Sequence, residues 1–367
     1  MKYVNILLIG LVLLFPGCTF LDVVPEGNIE SIESNFEKRD QTENWFKYCH
    51  FWVSPFTTSV ISNPAYMGTD EVVAGTYLRE SGFNWSGLYI ADGLQRTFDP
   101  YCNMWRRDAV YNSIRYCNTF LEKVWGVYNM TDAEKKLWVA EIKALKAYYY
   151  FELLRHYGPF VVMDENIDPG VPVVDMKKER SPVDVCVEEI VSLLDEAMKD
   201  LPLMKDKERS RWAYHSLESA AALKAMTLFY AASPLFNGNP AYSGFVNSKG
   251  EKLFSQQKDP EKWRYAAEAV DSALLICNRG GKYLISSESD KIQDRMKDIE
   301  ASAIALNFEN AEAIYMFRYE SFANGGWPKW TRPYFNSTDE DYNMMCVSEF
   351  ENGGNVLYGT WFTDRRG

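Results

Sequence analysis

Two stretches of the chain combine aromatic rings with amide and guanidinium groups, a set of side chains that suits a carbohydrate ligand. Aromatic rings cover the apolar faces of a sugar, and polar side chains bond its hydroxyls. Gly325-Gly326 and Pro328 disfavour a helix in the second stretch, so we expect at least one of its tryptophans to be exposed. The alternative is that these rings serve only to pack the loops against the helices. The first stretch holds Arg79, Asn84, Trp85 and Tyr89, and the second holds Asn324, Trp327, Lys329, Trp330, Arg332 and Tyr334.

No catalytic motif accompanies these residues. His50, His156 and His215 lie outside any H-E-x-x-H or G-x-S-x-G pattern, and no phosphate-binding or dinucleotide-binding fingerprint occurs. The last two histidines fall within predicted helices and are expected to be structural. A glycosidase needs two carboxylates about 5 to 10 Å apart, which 51 acidic residues can always supply. An all-helical glycoside hydrolase is therefore the enzyme alternative, but we predict a protein without catalytic residues or a cofactor.

We predict no metal site. The segment from Asp164 to Asp175 has the acidic spacing of a calcium loop, but Pro169 stands where an EF-hand needs glycine, so a solvated loop is expected. The cysteines after residue 18 form no C-x-x-C pair and no cluster with zinc spacing. We expect most of them to be small buried hydrophobes, although export would permit disulfides. These cysteines are Cys49, Cys102, Cys117, Cys186, Cys277 and Cys346.

The N-terminus has the features of a secretory signal. Lys2 gives it a positive start, and an apolar segment from Ile6 to Phe15 follows. Gly17 then precedes Cys18 in an arrangement similar to a lipobox, in which the signal is cut before the cysteine and the sulfur is acylated. Residues 1–17 are therefore predicted to be a signal peptide, and Cys18 is predicted to carry the lipid that anchors the chain.

Composition excludes several other classes of function. Of the 367 residues, 25% are charged and 47% are apolar, which is typical of a globular protein with a large core. The net charge of −12 argues against binding to nucleic acid or to anionic lipid. A neutral ligand suits this surface better.

Five segments repeat apolar residues every three or four positions and are predicted to be amphipathic helices. The Thr131-Asp132-Ala133-Glu134 sequence predicts a capping box at the start of the second, and Ser181-Pro182 predicts the start of the third. Short and long connections alternate, which favours successive helix pairs. The predicted helices span about 105–124, 132–157, 182–201, 212–232 and 261–279, and short strands are expected at Phe160–Met163 and Ala313–Phe317.

Five blocks of the sequence together resemble one family. Cys18 to Pro25 is similar to the C-x-x-F-L-D-x-x-P start of SusD/RagB-type nutrient-binding lipoproteins. Trp105 with Tyr111, Ile114, Cys117 and Asn118 resembles the W-(x)5-Y-x-x-I-x-x-[AC]-N block of that family. The other three blocks are Glu141–Gly158, Arg180–Pro202 and Ala220–Gly238.

The resemblance implies an all-α fold of tetratricopeptide-like helix pairs with long aromatic-rich loops and few short strands. It also implies a surface-exposed outer-membrane lipoprotein that binds a glycan and caps a SusC-like TonB-dependent transporter. A structural surface subunit without a ligand is a further alternative. Residues 18–320 are expected to form the SusD-like helical region, and residues 321–367 the start of a C-terminal region that is truncated relative to family members.

Overall fold

The computed structural model describes residues 32–52, 72–74, 86–106, 109–284, 291–297, 310–315 and 345–347, and most of these are helical. Two short strands, β1 (Val72–Ala74) and β2 (Met345–Val347), pair antiparallel with Val72 opposite Val347. The predicted fold class, all-α with few short strands, is confirmed. The helices are α1 Arg39–Cys49, α2 Ser86–Ala91, α3 Val110–Lys123, α4 Asp132–Tyr157, α5 Val183–Ala197, α6 Leu217–Ala232 and α7 Glu261–Gly280, residues 292–297 are also helical, and the strands are β1 Val72–Ala74 and β2 Met345–Val347.

Short 3-10 turns connect several of these helices. They lie at Glu33–Phe36, Val124–Gly126, Met204–Asp206, Arg209–Arg211 and Pro240–Tyr242. Each of the longer helices packs on the next one along the chain, from α3 through α7, and α1 packs on α3. Among the described residues, no helix is both long enough and apolar enough to cross a membrane.

Helix α4 forms the centre of the fold. All residues from Ala144 to Leu154 are buried, so the helix is enclosed on every side. The predicted stripe along one face of this helix was therefore too narrow. A helix that is buried all round needs partners on each side, and α3, α5 and α6 supply them. Gly158 ends α4 with a φ of 68°, a conformation that favours glycine.

Two predicted helix starts were wrong because side chains bind backbone groups there. The first helix begins at Val110 instead of Trp105, whose backbone N–H donates to Asn103 Oδ1 over 3.0 Å. The fourth begins at Leu217 instead of Trp212. There the Lys207 ammonium donates to the carbonyls of Tyr214 and His215 over 2.8 and 2.7 Å, so His215 precedes the helix.

The predicted caps are correct in part. Thr131 Oγ1 accepts from the backbone N–H of Glu134 over 3.2 Å, as expected, but the Glu134 carboxylate accepts from Arg39 Nε over 2.6 Å instead of closing a capping box. A reciprocal capping box forms at the start of α6, between the N-cap Ser216 and Ser219 in the first turn. The third helix starts one residue later than predicted, with Pro182 as N-cap, and ends at Ala197 instead of residue 201.

The predicted strand at Phe160–Met163 was wrong, although its backbone groups are paired. The hydroxyl of Tyr111 donates to the carbonyl of Val161 and accepts from its N–H, over 3.1 and 3.0 Å. Tyr150 does the same for Met163, with both distances 2.9 Å. Tyrosine hydroxyls therefore take the place of a partner strand. Residues 313–315 form no strand either, and the rest of that prediction lies outside the described residues.

Five cysteines in the described part are free thiols. Cys49, Cys117, Cys186 and Cys277 are buried, as predicted, and Cys102 is half-buried. Burial raises the pKa of the Cys186 thiol to about 12. These residues act as small apolar side chains.

The predicted stripe of α7 is only partly buried. Ala266, Ala273 and Cys277 face the core, but Trp263 is 40% exposed and Val270 is 39% exposed. Phe229 of α6 is also exposed and contacts the Trp263 ring edge-on at 5.5 Å. The helix therefore presents an apolar surface beside its packed face.

A buried ion cluster fastens α4 to the segment that precedes α6. Glu141 is fully buried, and its carboxylate binds Lys207 Nζ over 3.0 Å and the Arg211 guanidinium. The Arg211 guanidinium also lies over the rings of Phe46, Trp138 and Tyr214, at 4.9 to 5.1 Å. Removing one member of such a cluster leaves a buried charge without compensation.

We expect Glu141→Gln to lower the free energy of unfolding by about 3–5 kcal/mol, because Lys207 and Arg211 would lose their counter-charge while remaining buried. Urea denaturation followed by circular dichroism measures the change. The matched control is Glu196→Gln, which breaks the Lys143–Glu196 ion pair at a surface where Glu196 is 48% exposed. That change should cost less than about 1 kcal/mol. Equal losses in the two variants would contradict the assigned role of Glu141.

Histidines whose pKa is lowered by burial make stability depend on pH. Burial lowers the pKa of His50 from 6.5 to about 4, and burial also lowers the pKa of His215 well below 6.5. The unfolded chain therefore binds protons that the folded chain does not. The free energy of unfolding keeps its full value above pH 6.5. It falls as the pH drops toward 4, by about 1.4 kcal/mol per pH unit for each histidine.

Urea midpoints measured between pH 7.5 and pH 5.5 test this dependence. We expect a clear fall in the unmodified chain and a smaller one in His50→Gln, which removes one of the three histidines whose pKa burial lowers. Over this pH range few carboxylates become protonated. An identical pH slope in the two proteins would contradict the assignment.

Candidate functional site

The described part of the first predicted cluster lies in the short helix α2, and an irregular loop follows this helix. Of Arg79, Asn84, Trp85 and Tyr89, only Tyr89 lies within the described residues. The predicted residues Asn324, Trp327, Lys329, Trp330, Arg332 and Tyr334 lie outside them. We call residues 86–104 the tyrosine loop.

Three side chains of the tyrosine loop form a layered aromatic surface. The ring of Tyr89 packs on that of Tyr101, with centroids 4.6 Å apart and planes 32° apart. The Arg96 guanidinium covers Tyr101 at 4.8 Å from the ring centre. Cation–π contact and ring packing therefore hold the three side chains together. Tyr101 and Arg96 were not predicted from the sequence.

Local hydrogen bonds fix the shape of this loop. Leu94 donates its N–H to the carbonyl of Tyr89 over 2.8 Å, and Gly93 takes a φ of 74° at the end of the helix. Arg96 Nε donates to the carbonyl of Asp99 over 3.0 Å, and Asp99 has a φ of 50°. Gln95 accepts from the backbone N–H of Tyr101. These hydrogen bonds fix the turn at residues 95–101 in a shape that keeps the Arg96 guanidinium over the Tyr101 ring.

The end of the loop is bound to the central helix. Tyr157 of α4 donates its hydroxyl to the carbonyl of Cys102 over 3.2 Å and accepts from the N–H of Met104 over 3.0 Å. Burial raises the pKa of Tyr157, so its hydroxyl stays protonated and can donate. The scaffold therefore positions the aromatic surface rigidly at this end.

The chemistry of the tyrosine loop suits a neutral ligand. Phe98 is 85% exposed, and its neighbours Leu94 and Arg96 are also exposed, so the loop offers apolar area and a polar donor to the solvent. Sugars present both an apolar face and a polar edge. One sequence feature could have identified Tyr101. It directly follows Asp99-Pro100, a dipeptide that is typical of turns.

The described residues hold no metal centre. No group of three or more His, Cys, Asp or Glu side chains is placed to bind an ion in this part of the chain. In the segment with calcium-like spacing, Asp168 accepts from the backbone N–H of Gly170 over 2.8 Å, and the Asn166 amide donates to Thr119. These two side chains serve local structure.

The histidines are placed for packing. His215 is buried, His50 is half-buried, and His156 Nδ1 contacts the carbonyl of Glu152 within α4. The ring of His215 stacks on Tyr315 at 4.2 Å. None of the three lies in the tyrosine loop. The structural role that the sequence predicted for His156 and His215 matches these contacts.

Comparison with known proteins identifies relatives of this arrangement. A family model for SusD-like proteins, described as starch-binding and associating with the outer membrane, matches residues 36–230, which is more than half of the chain. None of the curated proteins matches the sequence.

Several solved structures share the fold. The protein BT4246 is 26% identical, with a TM-score of 0.63 over 77% of this chain and 51% of its own. A SusD-like protein of Bacteroides fragilis NCTC 9343 is 17% identical, with a TM-score of 0.56 over 79% of this chain and 46% of its own. A SusD homologue of Bacteroides thetaiotaomicron VPI-5482 is 20% identical, with a TM-score of 0.50 over 69% and 43%. The chain thus spans about half the length of the structures it matches.

Proposed function

The chain belongs to the SusD-like family, and on that premise we propose that it is a cell-surface lipoprotein that captures a glycan and delivers it to a SusC-like TonB-dependent transporter. The family description, starch-binding and associating with the outer membrane, supports carbohydrate as the ligand class and the outer membrane as the location. The observation that carries the proposal is the layered surface of Tyr89, Tyr101 and Arg96 on an exposed loop.

The proposed glycan site extends beyond the tyrosine loop. Arg79, Asn84 and Trp85 precede Tyr89 by ten residues or fewer, so the chain can bring them to the same surface. The second predicted cluster, with Trp327 and Trp330, would add further rings and amides. We propose binding without catalysis because the described part of the site offers aromatic rings and a guanidinium, which suit the apolar face and the hydroxyls of a sugar.

We expect Tyr101→Ala to weaken retention of the chain in glycan-containing native gels by about two- to tenfold, because a stacking ring and the platform for Arg96 are both lost. Tyr89→Ala should have a similar effect. Starch is the first glycan to test, followed by xylan, host N-glycans and mucin glycans. The same preparation is assayed for release of shorter sugars.

The control for this test is Tyr128→Ala, which removes a tyrosine that is 73% exposed and lies outside the tyrosine loop. Unchanged retention in all three variants would remove the loop from the site. Retention of no glycan by the folded chain would favour the structural subunit. Release of sugar products would favour the glycoside hydrolase.

Lipid anchoring is tested at Cys18, which lies outside the described residues. We expect the unmodified chain to enter the detergent phase in Triton X-114 partition, and Cys18→Ser to remain in the aqueous phase, because acyl chains supply the proposed attachment. Mass spectrometry of the N-terminal peptide identifies the acyl groups. Cys102→Ser is the control, since this cysteine is a free thiol in the tyrosine loop. Detergent-phase recovery of Cys18→Ser would overturn the anchor.

Partnership with a transporter is tested on the anchored chain. Affinity purification from solubilised outer membrane, followed by mass spectrometry, should recover a TonB-dependent transporter together with the chain. Recovery of the folded, acylated chain without a transporter would contradict the delivery role and leave glycan capture as a separate result.

A further inference from the structure

A groove of about 710 Å³ lies between helix α3 and the segment 161–178, apart from the tyrosine loop. We call it the α3 groove. Much of its lining is apolar and comes from Ile114, Val161, Met163, Ile167 and Met176. Arg115, Lys123 and Lys178 supply positive charge, and Glu33 and Glu122 supply negative charge. Its volume falls within the range of sites that hold a small ligand or a short peptide segment.

The described chain begins in this groove. Ile32 and Glu33, its first two residues, both belong to the lining, and Ile32 is 39% exposed. Residue 31 is bonded to Ile32, so the segment that precedes the described chain is covalently attached at the groove. Thirteen residues separate Cys18 from Ile32. A segment joined directly to a groove has a high effective concentration there.

Charge favours this segment as the occupant. Residues 19–31 contain Asp22, Glu26 and Glu30 and have no lysine or arginine. In the described part of the chain, neither Arg115 nor Lys178 forms an ion pair, whereas Lys123 already binds Glu33 over 3.5 Å. The Lys123–Glu33 pair brings one acidic side chain from this end of the chain to the rim of the groove, where Lys123 also binds Glu122 over 3.5 Å. The apolar residues of the segment, Phe20, Leu21, Val23, Val24 and Ile29, match the apolar lining.

Two groove residues carry buried polar atoms that lack a partner among the described residues. They are the indole N–H of Trp105 and the side-chain oxygen of Asn118. A peptide backbone offers both a carbonyl and an N–H at nearly every residue, so it can satisfy both.

A sugar suits this groove less well, because the rings are already covered. The Arg180 guanidinium lies 5.0 Å from the centre of the Trp105 ring, and the Tyr111 ring packs on it at 5.2 Å. Tyr111 itself is held by the backbone of Val161. A sugar that stacked on the Trp105 ring would therefore compete with Arg180 and Tyr111 for that ring.

We propose that residues 20–31 of the same chain occupy the α3 groove, with their acidic side chains toward Arg115 and Lys178. This docking concerns the chain itself and does not depend on acylation. Its consequence rests on the proposed function: if Cys18 carries the lipid, only one residue separates the anchor from the docked segment. The body would then be held at the membrane with the α3 groove on the membrane side.

Limited proteolysis of the full chain in detergent tests the docking. Subtilisin cleaves most exposed segments, and mass spectrometry measures the rate of cleavage within residues 19–31. We expect slow cleavage in the unmodified chain and about tenfold faster cleavage in Arg115→Glu/Lys178→Glu, because two attractions become repulsions and the segment leaves the groove more often. The control is Lys249→Glu/Lys252→Glu, a double reversal at two exposed lysines that do not line the groove.

Charge exchange provides the decisive comparison. Adding Asp22→Lys, Glu26→Lys and Glu30→Lys to Arg115→Glu/Lys178→Glu should restore slow cleavage. Cleavage that is equally fast in all variants would overturn the docking. Protection that increases with protein concentration would overturn it too, because a second copy would then supply the segment. Recovery of a bound small molecule from a chain whose segment is cut rapidly would assign the groove to that molecule instead. None of these results depends on glycan binding.

Discussion

The carboxylate of Glu141 is the constraint on which the described fold depends. Helix α4 is enclosed on all sides, and an enclosed helix can carry charge only where each charge has a partner. Glu141 supplies that partner for Lys207 and Arg211, which come from the connection between α5 and α6. Lys207 in turn binds the carbonyls just ahead of α6 and so sets where that helix begins. One buried charge thus determines both the path of a connection and the start of a helix.

Tyrosine hydroxyls fix the positions of the loops by hydrogen bonds to their backbone. The hydroxyls of Tyr111 and Tyr150 bind backbone groups of the extended segment after α4, and the hydroxyl of Tyr157 binds the end of the tyrosine loop. Two of these three tyrosines belong to the central helix, so the loops take their positions from the most rigid element. This explains how a chain with few strands holds irregular segments in place. Binding residues on such loops need little rearrangement to meet a ligand.

Periodicity allowed much of the fold to be predicted. The ends of α4 and α7 follow from apolar spacing and from glycines at residues 158 and 281. The starts of α3 and α6 could not be predicted, because Asn103 and Lys207 bind backbone groups there. The strand predicted at residues 160–163 shows the same limit, since a pattern of apolar residues does not reveal that tyrosines 111 and 150 replace a second strand. In the site, Tyr89 was identified from its neighbours in sequence, whereas Arg96 became evident only through its position over Tyr101.

The free thiols have a consequence for where this fold can exist. Nucleophilic attack by cysteine requires the thiolate, and burial keeps Cys49 and Cys186 protonated. Cys49 and Cys186 therefore exchange slowly with disulfides, and none of the five free cysteines in the described part cross-links the helices. The described fold takes its stability from packing and buried charge. A reducing agent would therefore break no covalent link between these five cysteines.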